Sequence, residues 1–328
     1  MKIISRAMEY FGLAFNPDKV EWPVTNPILL GIHFDTEKLE VEVKEGKLKE
    51  LIFCTGFILD VKWYWIDSAE SLTGGLNWVA IFHWPACAFL RRWARYIARI
   101  IAKEGRSHAP FQVPRWALLD IEWWHWYLKA LIPTKIVSIV GVPTTFYEGW
   151  TDGATNGSKP NWEPAIGGYV FPDFFAAPLP SRFREFYRCR HNDYVKEFAI
   201  PHFEMLAMVV MVKLFAERWK GENVEVTFWR DSTHAQSALR NKSSGDEFLM
   251  LCTRWICREA VRLGFRFRVE RISSEDNKLA DYLSRCRLDL FWKRIEAKQA
   301  DGWTGRMNRQ QTPVVYPNAV YDFFNSEG

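Results

Sequence analysis

The sequence lacks the features that mark membrane-spanning and disulfide-bonded proteins. No apolar run approaches the roughly 18–20 residues needed to cross a bilayer. The short apolar start is interrupted by Glu9, which argues against a secretory signal. The six cysteines form no C-x-x-C pair, which argues against a zinc site or a disulfide framework. We therefore expect a soluble intracellular protein in a reducing compartment, with the glycosylation sequon at Asn156 unused.

A strong excess of either charge is also missing. The net charge is +4 and the isoelectric point is near 8.6, which permits a polyanionic partner without requiring one. Hydrophobic residues make up 48% of the 328 positions and include 17 Trp and 24 Phe, which excludes a disordered chain. A chain of this length and composition has room for two packed domains.

Four acidic residues stand in distinct local settings. They are Asp152 in W-T-D-G-A, Glu204 in P-H-F-E-M-L, Asp231 in F-W-R-D-S and Asp281 in N-K-L-A-D-Y-L-S-R. Two end β-like apolar runs and two lie in helical stretches, which is how a fold gathers distant carboxylates. Clustered carboxylates repel one another unless a cation neutralises them, and oxygen ligands favour Mg²⁺ or Mn²⁺. The pattern indicates a nuclease site with two ions. The alternative is that each acid is an ordinary surface or capping residue.

The four segments resemble, in order, the ribonuclease H family, and more closely the ribonuclease H domain of retroelement reverse transcriptases. The similar segments run from about Phe146 to Arg285, and the most specific motif is Asn277 to Arg285. The resemblance implies hydrolysis of the RNA strand of an RNA/DNA hybrid. It also implies that two Mg²⁺ or Mn²⁺ ions are held by Asp152, Glu204, Asp231 and Asp281.

The chain departs from the family pattern at two places. Ser232 replaces the Asn that often follows the third acid. The His or Pro-Gly turn that commonly precedes the Asn of the last motif is absent before Asn277. If a His at that place helps proton transfer or product release, its absence suggests a slow enzyme. No histidine substitutes obviously, although His191 and His234 are candidates to lie nearby.

Alternating strand and helix patterns predict the fold of the second half. Strands are expected at 146–150, 166–171, 224–228 and 265–271, and helices at 202–219, 234–240, 247–263 and 277–285. We therefore expect an α/β (mixed α+β) fold, a ribonuclease H-like mixed five-stranded sheet with flanking helices, preceded by a mostly helical thumb or connection region. Glu204 opens an apolar helix, where a lone acid could simply favour the positive end of the helix dipole.

The first half resembles the end of a reverse transcriptase palm and the thumb or connection of tyrosine-recombinase retrotransposons. Residues 1–50 are expected to form a helix, a small strand bearing Lys19 and an L-G-I hairpin, although an unrelated hairpin is the alternative. Similar segments continue at 71–77 and 89–92. We expect a palm remnant at 1–50, a helical region at 51–143, the ribonuclease H-like domain at 144–290 and a tail at 291–328. The Y-x-D-D turn of a polymerase occurs nowhere, so we expect no polymerase activity.

Two cationic segments are candidates for contact with nucleic acid. Residues 86–103 form an amphipathic helix whose polar side carries Arg91, Arg95, Arg99 and Lys103. Four like charges at a spacing of four repel one another, so the side either faces phosphates or is simply solvated. The segment 181–194, expected as a loop, interleaves aromatic rings with Arg182, Arg184, Arg188 and Arg190. Its alternatives are a partner protein or solvent. Asn277 is a further candidate contact.

Two other segments allow structural and binding interpretations. Residues 118–131 form a Trp-dense helix that favours core packing over base stacking, because Trp mixes with Leu and Ile at helical spacing. Residues 301–328 show little periodicity, so the tail is expected to be mobile or to lie along a partner.

The sequence supports two functions. The first is a metal-dependent ribonuclease H-type endonuclease acting on RNA/DNA hybrids. The second is a catalytically retired remnant that binds structured RNA as a scaffolding subunit of a ribonucleoprotein. For either function, the expected partners are an RNA/DNA hybrid or structured RNA, other protein subunits, or a chain that carries the missing palm. No membrane partner is expected. The absent polymerase residues favour retirement, and the four acids favour activity.

Overall fold

The computed structural model describes residues 10, 24–29, 32–82, 84–105, 109–130, 134–135, 143–156, 163–190, 196–221 and 223–326. Side chains at 29, 82, 84, 104, 134–135, 156, 186–190, 196–199 and 324–326 are not part of this description. Four features expected from the sequence lie outside the described residues. They are the helix at the start of the chain, the strand bearing Lys19, the Leu-Gly pair of the L-G-I motif and His191.

The first half of the chain is mostly helical and carries a small antiparallel sheet. The strands are β1 (Ile28–Leu29), β2 (Ile32–Asp35), β3 (Glu40–Val43), β4 (Trp63–Tyr64), β5 (Phe111–Gln112) and β6 (Thr134–Lys135). The helices are α1 (Glu45–Val61), α2 (Ile66–Phe82), α3 (Arg91–Glu104) and α4 (Arg115–Lys129), with a 3₁₀ helix at Trp84–Phe89. The hairpin of β2 and β3 lies where the sequence predicted a hairpin.

The second half alternates strands with helices. The strands are β7 (Thr145–Asn156), β8 (Glu163–Val170), β9 (Asp173–Pro178), β10 (Val224–Arg230) and β11 (Arg266–Arg271). The helices are α5 (Ser181–Arg190), α6 (Lys196–Phe215), α7 (Thr233–Asn241), α8 (Glu247–Leu263), α9 (Lys278–Ser284), α10 (Leu288–Ala300) and α11 (Asn318–Ser326). A 3₁₀ turn at Ala216–Trp219 follows α6.

These five strands form one mixed sheet in the order β11-β10-β7-β8-β9. β7, β8 and β9 pair antiparallel, whereas β10 pairs parallel with both β7 and β11. The central strand β7 therefore lies beside β10, so the acids that these two strands carry can meet. The expected fold class, a mixed five-stranded sheet with flanking helices, is confirmed.

The sheet is covered on both faces. One apolar cluster joins β8, β10 and β11 to α6 and α8 and continues into the helical half through α4 and the 3₁₀ segment at 84–89. A second cluster packs α9 and α10 against Tyr169, Phe174 and Ala176. Because the first cluster runs through both halves, the helical region and the sheet share one core.

A buried carboxylate also joins the two halves. Asp120 of α4 accepts hydrogen bonds from Arg92 Nε at 3.0 Å and from Arg254 Nη2, on α8, at 3.1 Å. Arg254 Nε also donates to the Ala88 carbonyl at 3.1 Å. Burial raises the pKa of Asp120, while the two guanidinium groups act in the opposite direction. Removing this carboxylate would leave two arginines without their shared partner.

The C-terminal segment packs on its own chain, which corrects the expectation of a mobile or partner-bound tail. Asn308 N donates to the Pro172 carbonyl at 2.8 Å, and Thr312 N donates to the Phe174 carbonyl at 2.9 Å. Tyr316 and Val320 are buried. The segment thus covers the edge strand β9, which protects an edge from pairing with other chains.

Three further expectations needed correction. Residues 181–190 form a helix and not a loop. Strand β9 was not expected, because its residues are buried on both faces and lack the alternation of a half-exposed strand. The helix expected over 86–103 begins at Arg91, after the 3₁₀ segment. Among the described residues, no helix is long and apolar enough to cross a membrane.

Candidate active site

Three of the four predicted acids come together. Asp152 lies in β7, Glu204 in the middle of α6, and Asp231 directly after β10. One carboxylate oxygen from each residue lies within 4.8 Å of the others. Asp152 and Glu204 are 7% and 6% exposed, so two of the three charges are removed from water.

A glycine allows the helix bearing Glu204 to lie directly on the sheet. A Cβ placed on Gly153 would lie 2.5 Å from the Glu204 nitrogen and 2.6 Å from the Phe203 carbonyl carbon. Both neighbours are backbone atoms of a packed helix, so they cannot rotate away. Gly153 therefore determines how closely Glu204 approaches Asp152.

The carboxylate of Asp152 is buried and hydrogen-bonded. Ser284 Oγ, at the end of α9, donates a hydrogen bond to Asp152 Oδ2. Burial raises the pKa of Asp152 to about 6, the hydroxyl of Ser284 lowers it, and the charges of Asp231 and Asp281 raise it. A bound cation would reverse the effect of burial, because it favours the charged carboxylate.

A buried arginine contacts Glu204. Arg230 Nη2 lies 3.4 Å from Glu204 Oε2, and Arg230 Nη1 lies 2.8 Å from Met208 Sδ. Burial raises the pKa of Glu204 to about 7, while Arg230 and the hydroxyl of Ser232 lower it. Burial lowers the pKa of Arg230, and the neighbouring carboxylates raise it. The sequence analysis did not single out Arg230, since its position at a strand end resembles that of many exposed arginines.

The other two acids have separate partners. Asp231 Oδ2 accepts a hydrogen bond from Ser274 Oγ at 3.0 Å. Asp281 is not one of the three clustered acids, and Arg285 Nε donates to its Oδ1 at 2.6 Å. Asp281 nevertheless lies near enough to raise the pKa of Asp152. Its role as a fourth ligand stays a prediction.

Asn277, which was expected to contact nucleic acid, is buried in the structure, and that contact stays a prediction. The residue is 1% exposed, and its Nδ2 donates to the Thr151 carbonyl at 3.2 Å. Asn277 thus joins the start of α9 to β7 next to Asp152. The same motif carries Ser284, so the segment resembling the family positions the site through buried hydrogen bonds.

The four predicted contact residues of α3 are all described and exposed, whereas those of α5 are described only in part. Arg91, Arg95, Arg99 and Lys103 are all exposed on α3, while Trp93 and Ile97 on its other side are buried, as the amphipathic pattern predicted. On α5, Arg182 is exposed and Arg184 is partly exposed, 3.8 Å from Glu163. The side chains of Arg188 and Arg190 lie outside the described residues.

Two histidines near the acidic cluster in sequence differ in their exposure to solvent. His234 is exposed on α7, three residues after Asp231. His202 is buried, and its Nε2 lies 2.9 Å from Asp246 Oδ2, so it joins α6 to the start of α8 two residues from Glu204. His202 therefore supports the helix that carries Glu204.

The donor set suits a hard divalent cation. Three carboxylates from three elements offer only oxygen atoms, which are the ligands of Mg²⁺ and Mn²⁺. Since two of the carboxylates have pKa values raised by burial, a cation at the cluster would compete with protons there.

Comparisons with known proteins give structural neighbours only. No family model matches the chain, and no curated protein matches it. RNase H1 from Halobacterium salinarum is 15% identical and has a TM-score of 0.32, covering 44% of this chain and 98% of its own. LC11-RNase H1 from compost is also 15% identical, with a TM-score of 0.32, covering 44% and 97%. The foamy viral protease-reverse transcriptase, in complex with RNA/DNA hybrid, is 11% identical with a TM-score of 0.29, covering 87% and 56%.

The order and direction of the five strands define the fold. An antiparallel hairpin comes first along the chain, its first strand is central, and two parallel strands follow beside it with helices on both faces. The part of the chain that carries the carboxylate cluster thus has the mixed five-stranded sheet with flanking helices that the resemblance to the ribonuclease H family predicted.

Proposed function

We propose that this chain is a metal-dependent ribonuclease H-type endonuclease that cleaves the RNA strand of RNA/DNA hybrids. The observation that carries the proposal is the approach of Asp152, Glu204 and Asp231, with one oxygen of each within 4.8 Å of the others. Surface acids have no reason to gather in a buried position, because burial and mutual repulsion both oppose it. A function that requires a cation offsets that cost.

The residues have distinct parts in this proposal. Asp152, Glu204 and Asp231 would hold Mg²⁺, while Ser284 and Ser274 orient the carboxylates of Asp152 and Asp231 through hydrogen bonds. Metal bound there supplies activation of the attacking water and charge stabilisation of the leaving oxygen. Asp281 is proposed as a fourth ligand that is released from Arg285 when the site is loaded.

The nucleic-acid contacts belong to the same proposal. The exposed Arg91, Arg95, Arg99 and Lys103 on α3 and the exposed Arg182 on α5 are proposed to contact phosphates. We further propose that residues 1–50 and 51–143 derive from the palm and the thumb or connection of a tyrosine-recombinase type reverse transcriptase. The hairpin of β2 and β3 supports the first of these assignments.

A test compares hybrid cleavage by the full chain and by single variants. Asp152→Asn and Asp231→Asn should reduce Mg²⁺-dependent cleavage of a labelled RNA/DNA hybrid to background without loss of thermal stability. Asp289→Asn, which changes an exposed acid on α10, is the matched control and should keep wild-type cleavage. Absence of Mg²⁺-dependent cleavage by the wild-type chain would contradict the enzymatic proposal.

The second candidate function is a retired nuclease that binds structured RNA as a ribonucleoprotein subunit. Two ion pairs favour it: Arg230 with Glu204, and Arg285 with Asp281. In both pairs, an arginine of the chain itself neutralises one of the four predicted acidic ligands. Hybrid or structured RNA bound without cleavage would favour this candidate over the enzyme.

A further inference from the structure

Arg230 is an unusual component of a carboxylate cluster. It is 1% exposed, and its Nη2 lies 3.4 Å from Glu204 Oε2. Its Nη1 contacts Met208 Sδ at 2.8 Å, and its Nε has no hydrogen-bond partner in the described residues. A buried guanidinium with an unsatisfied nitrogen is costly, so its place here depends on the neighbouring negative charges.

The position of Arg230 bears directly on the charge of the site. Arginine keeps its proton in proteins, so the group is a fixed positive charge. The three clustered carboxylates and this guanidinium carry a net charge of −2, the neighbouring pair of Asp281 and Arg285 adds none, and a single divalent cation balances the total. A second divalent cation would be repelled by the first and by Arg230, and in a site removed from water such repulsion is poorly screened.

We propose that Arg230 takes the place of a second cation, so that the cluster binds one divalent ion tightly while the guanidinium positions Glu204. This inference rests on the proposed metal site and specifies its stoichiometry. Arg230 is a positioning residue, since it contacts Glu204 and acts on the ion only through charge and through that carboxylate. Asp152 and Asp231 receive hydrogen bonds from serines, so Glu204 is the one of the three clustered acids that has a described hydrogen bond from a cation.

The test is a Mn²⁺ titration of the full chain, with free Mn²⁺ followed by electron paramagnetic resonance. Wild-type protein should bind one Mn²⁺ at submillimolar concentration. Arg230→Gln, which removes the charge, should bind Mn²⁺ more than tenfold more tightly or accept a second ion. Arg230→Lys, which keeps the charge, should bind one ion with an affinity within about threefold of wild type, and circular dichroism of each variant checks folding.

The outcomes separate this inference from the proposed function. Two tightly bound ions in wild type, or equal affinity and stoichiometry in wild type and folded Arg230→Gln, would overturn the role of Arg230. If Arg230→Gln does not fold, the inference is tested by the other two proteins. It then requires one bound ion in wild type and one ion of similar affinity in Arg230→Lys. Binding by Arg230→Gln but not by wild type would show that Arg230 excludes cations altogether, which would overturn the one-ion stoichiometry and contradict the metal-dependent enzyme. Absence of Mn²⁺ binding in both would overturn both.

Discussion

Ser284 Oγ donates a hydrogen bond to Asp152 Oδ2 across 132 positions of sequence. The two residues belong to different segments, β7 and α9, which the sheet and its second apolar cluster bring together. The bond stabilises the charged form of a buried carboxylate, which is the form that can bind a cation.

Ser284→Ala should therefore weaken metal-dependent activity through Asp152. Without the hydroxyl the pKa of Asp152 rises, because the hydrogen bond lowers it in the wild-type protein. We expect cleavage to fall about tenfold at pH 7, which is the order of loss typical when a hydrogen bond to a metal ligand is removed, and to recover partly at higher pH. Ser237→Ala, at an exposed position on α7, is the control, and an equal loss in both variants would contradict this role for Ser284.

The stability of the metal-free protein should depend on pH through Asp152 and Glu204. Burial raises the pKa of Asp152 from 3.8 to about 6 and that of Glu204 from 4.5 to about 7. A raised folded-state pKa contributes stability that is present at low pH and is lost as the pH rises through the folded value. In EDTA, the free energy of unfolding should fall by roughly 2–3 kcal/mol for each of these two groups, on the order of 5 kcal/mol together, between about pH 4 and 7.

Denaturant unfolding at several pH values measures this dependence. Asp152→Asn should reduce the pH dependence, since the amide does not titrate, and saturating Mg²⁺ should oppose the loss because it binds the charged carboxylates. A pH dependence that is the same in wild type and Asp152→Asn would contradict the assignment.

Gly153→Ala should separate α6 from the sheet. The added methyl would meet the backbone of Phe203 and Glu204 at 2.5–2.6 Å, so the helix must shift. We expect a loss of about 1–3 kcal/mol in the free energy of unfolding and weaker Mn²⁺ binding. Gly74→Ala is the matched control, because a Cβ there meets nothing within 4 Å and helical alanine is favourable. Equal stability of the two variants, measured by denaturant unfolding, would contradict the close approach.

The exposed cationic side of α3 should bind phosphates. Arg95→Glu with Arg99→Glu should weaken binding of an RNA/DNA hybrid. The plot of log affinity against log salt should also become less steep, by roughly 0.7–0.9 for each phosphate that is no longer neutralised. Thermal stability should not fall, because both side chains are exposed. Arg115→Glu with Lys129→Glu makes the same change of charge at exposed positions of α4. An equal effect of both pairs would show that only net charge matters.

The sequence by itself determined the elements whose patterns are local. Helix α8 coincides with the predicted bounds 247–263, because a regular apolar stripe and the following Gly264 mark it. The burial of Trp123 and Trp124 follows from the same periodicity. Asp152, Glu204 and Asp231 were found because each lies in a recognisable motif, and the mixed sheet followed from the alternation of strands with helices.

Only the tertiary structure decided the features that depend on contacts between distant segments. Strand β9 and the C-terminal segment stabilise each other by pairing and packing, so neither shows an amphipathic pattern of its own. Asn277 is polar and belongs to a motif, yet its burial depends on how α9 lies against β7. The same holds for Arg230, whose charge lies beside Glu204 only because Glu204 and Met208 of α6 contact the last residue of β10, and charge at a buried site depends on its neighbours.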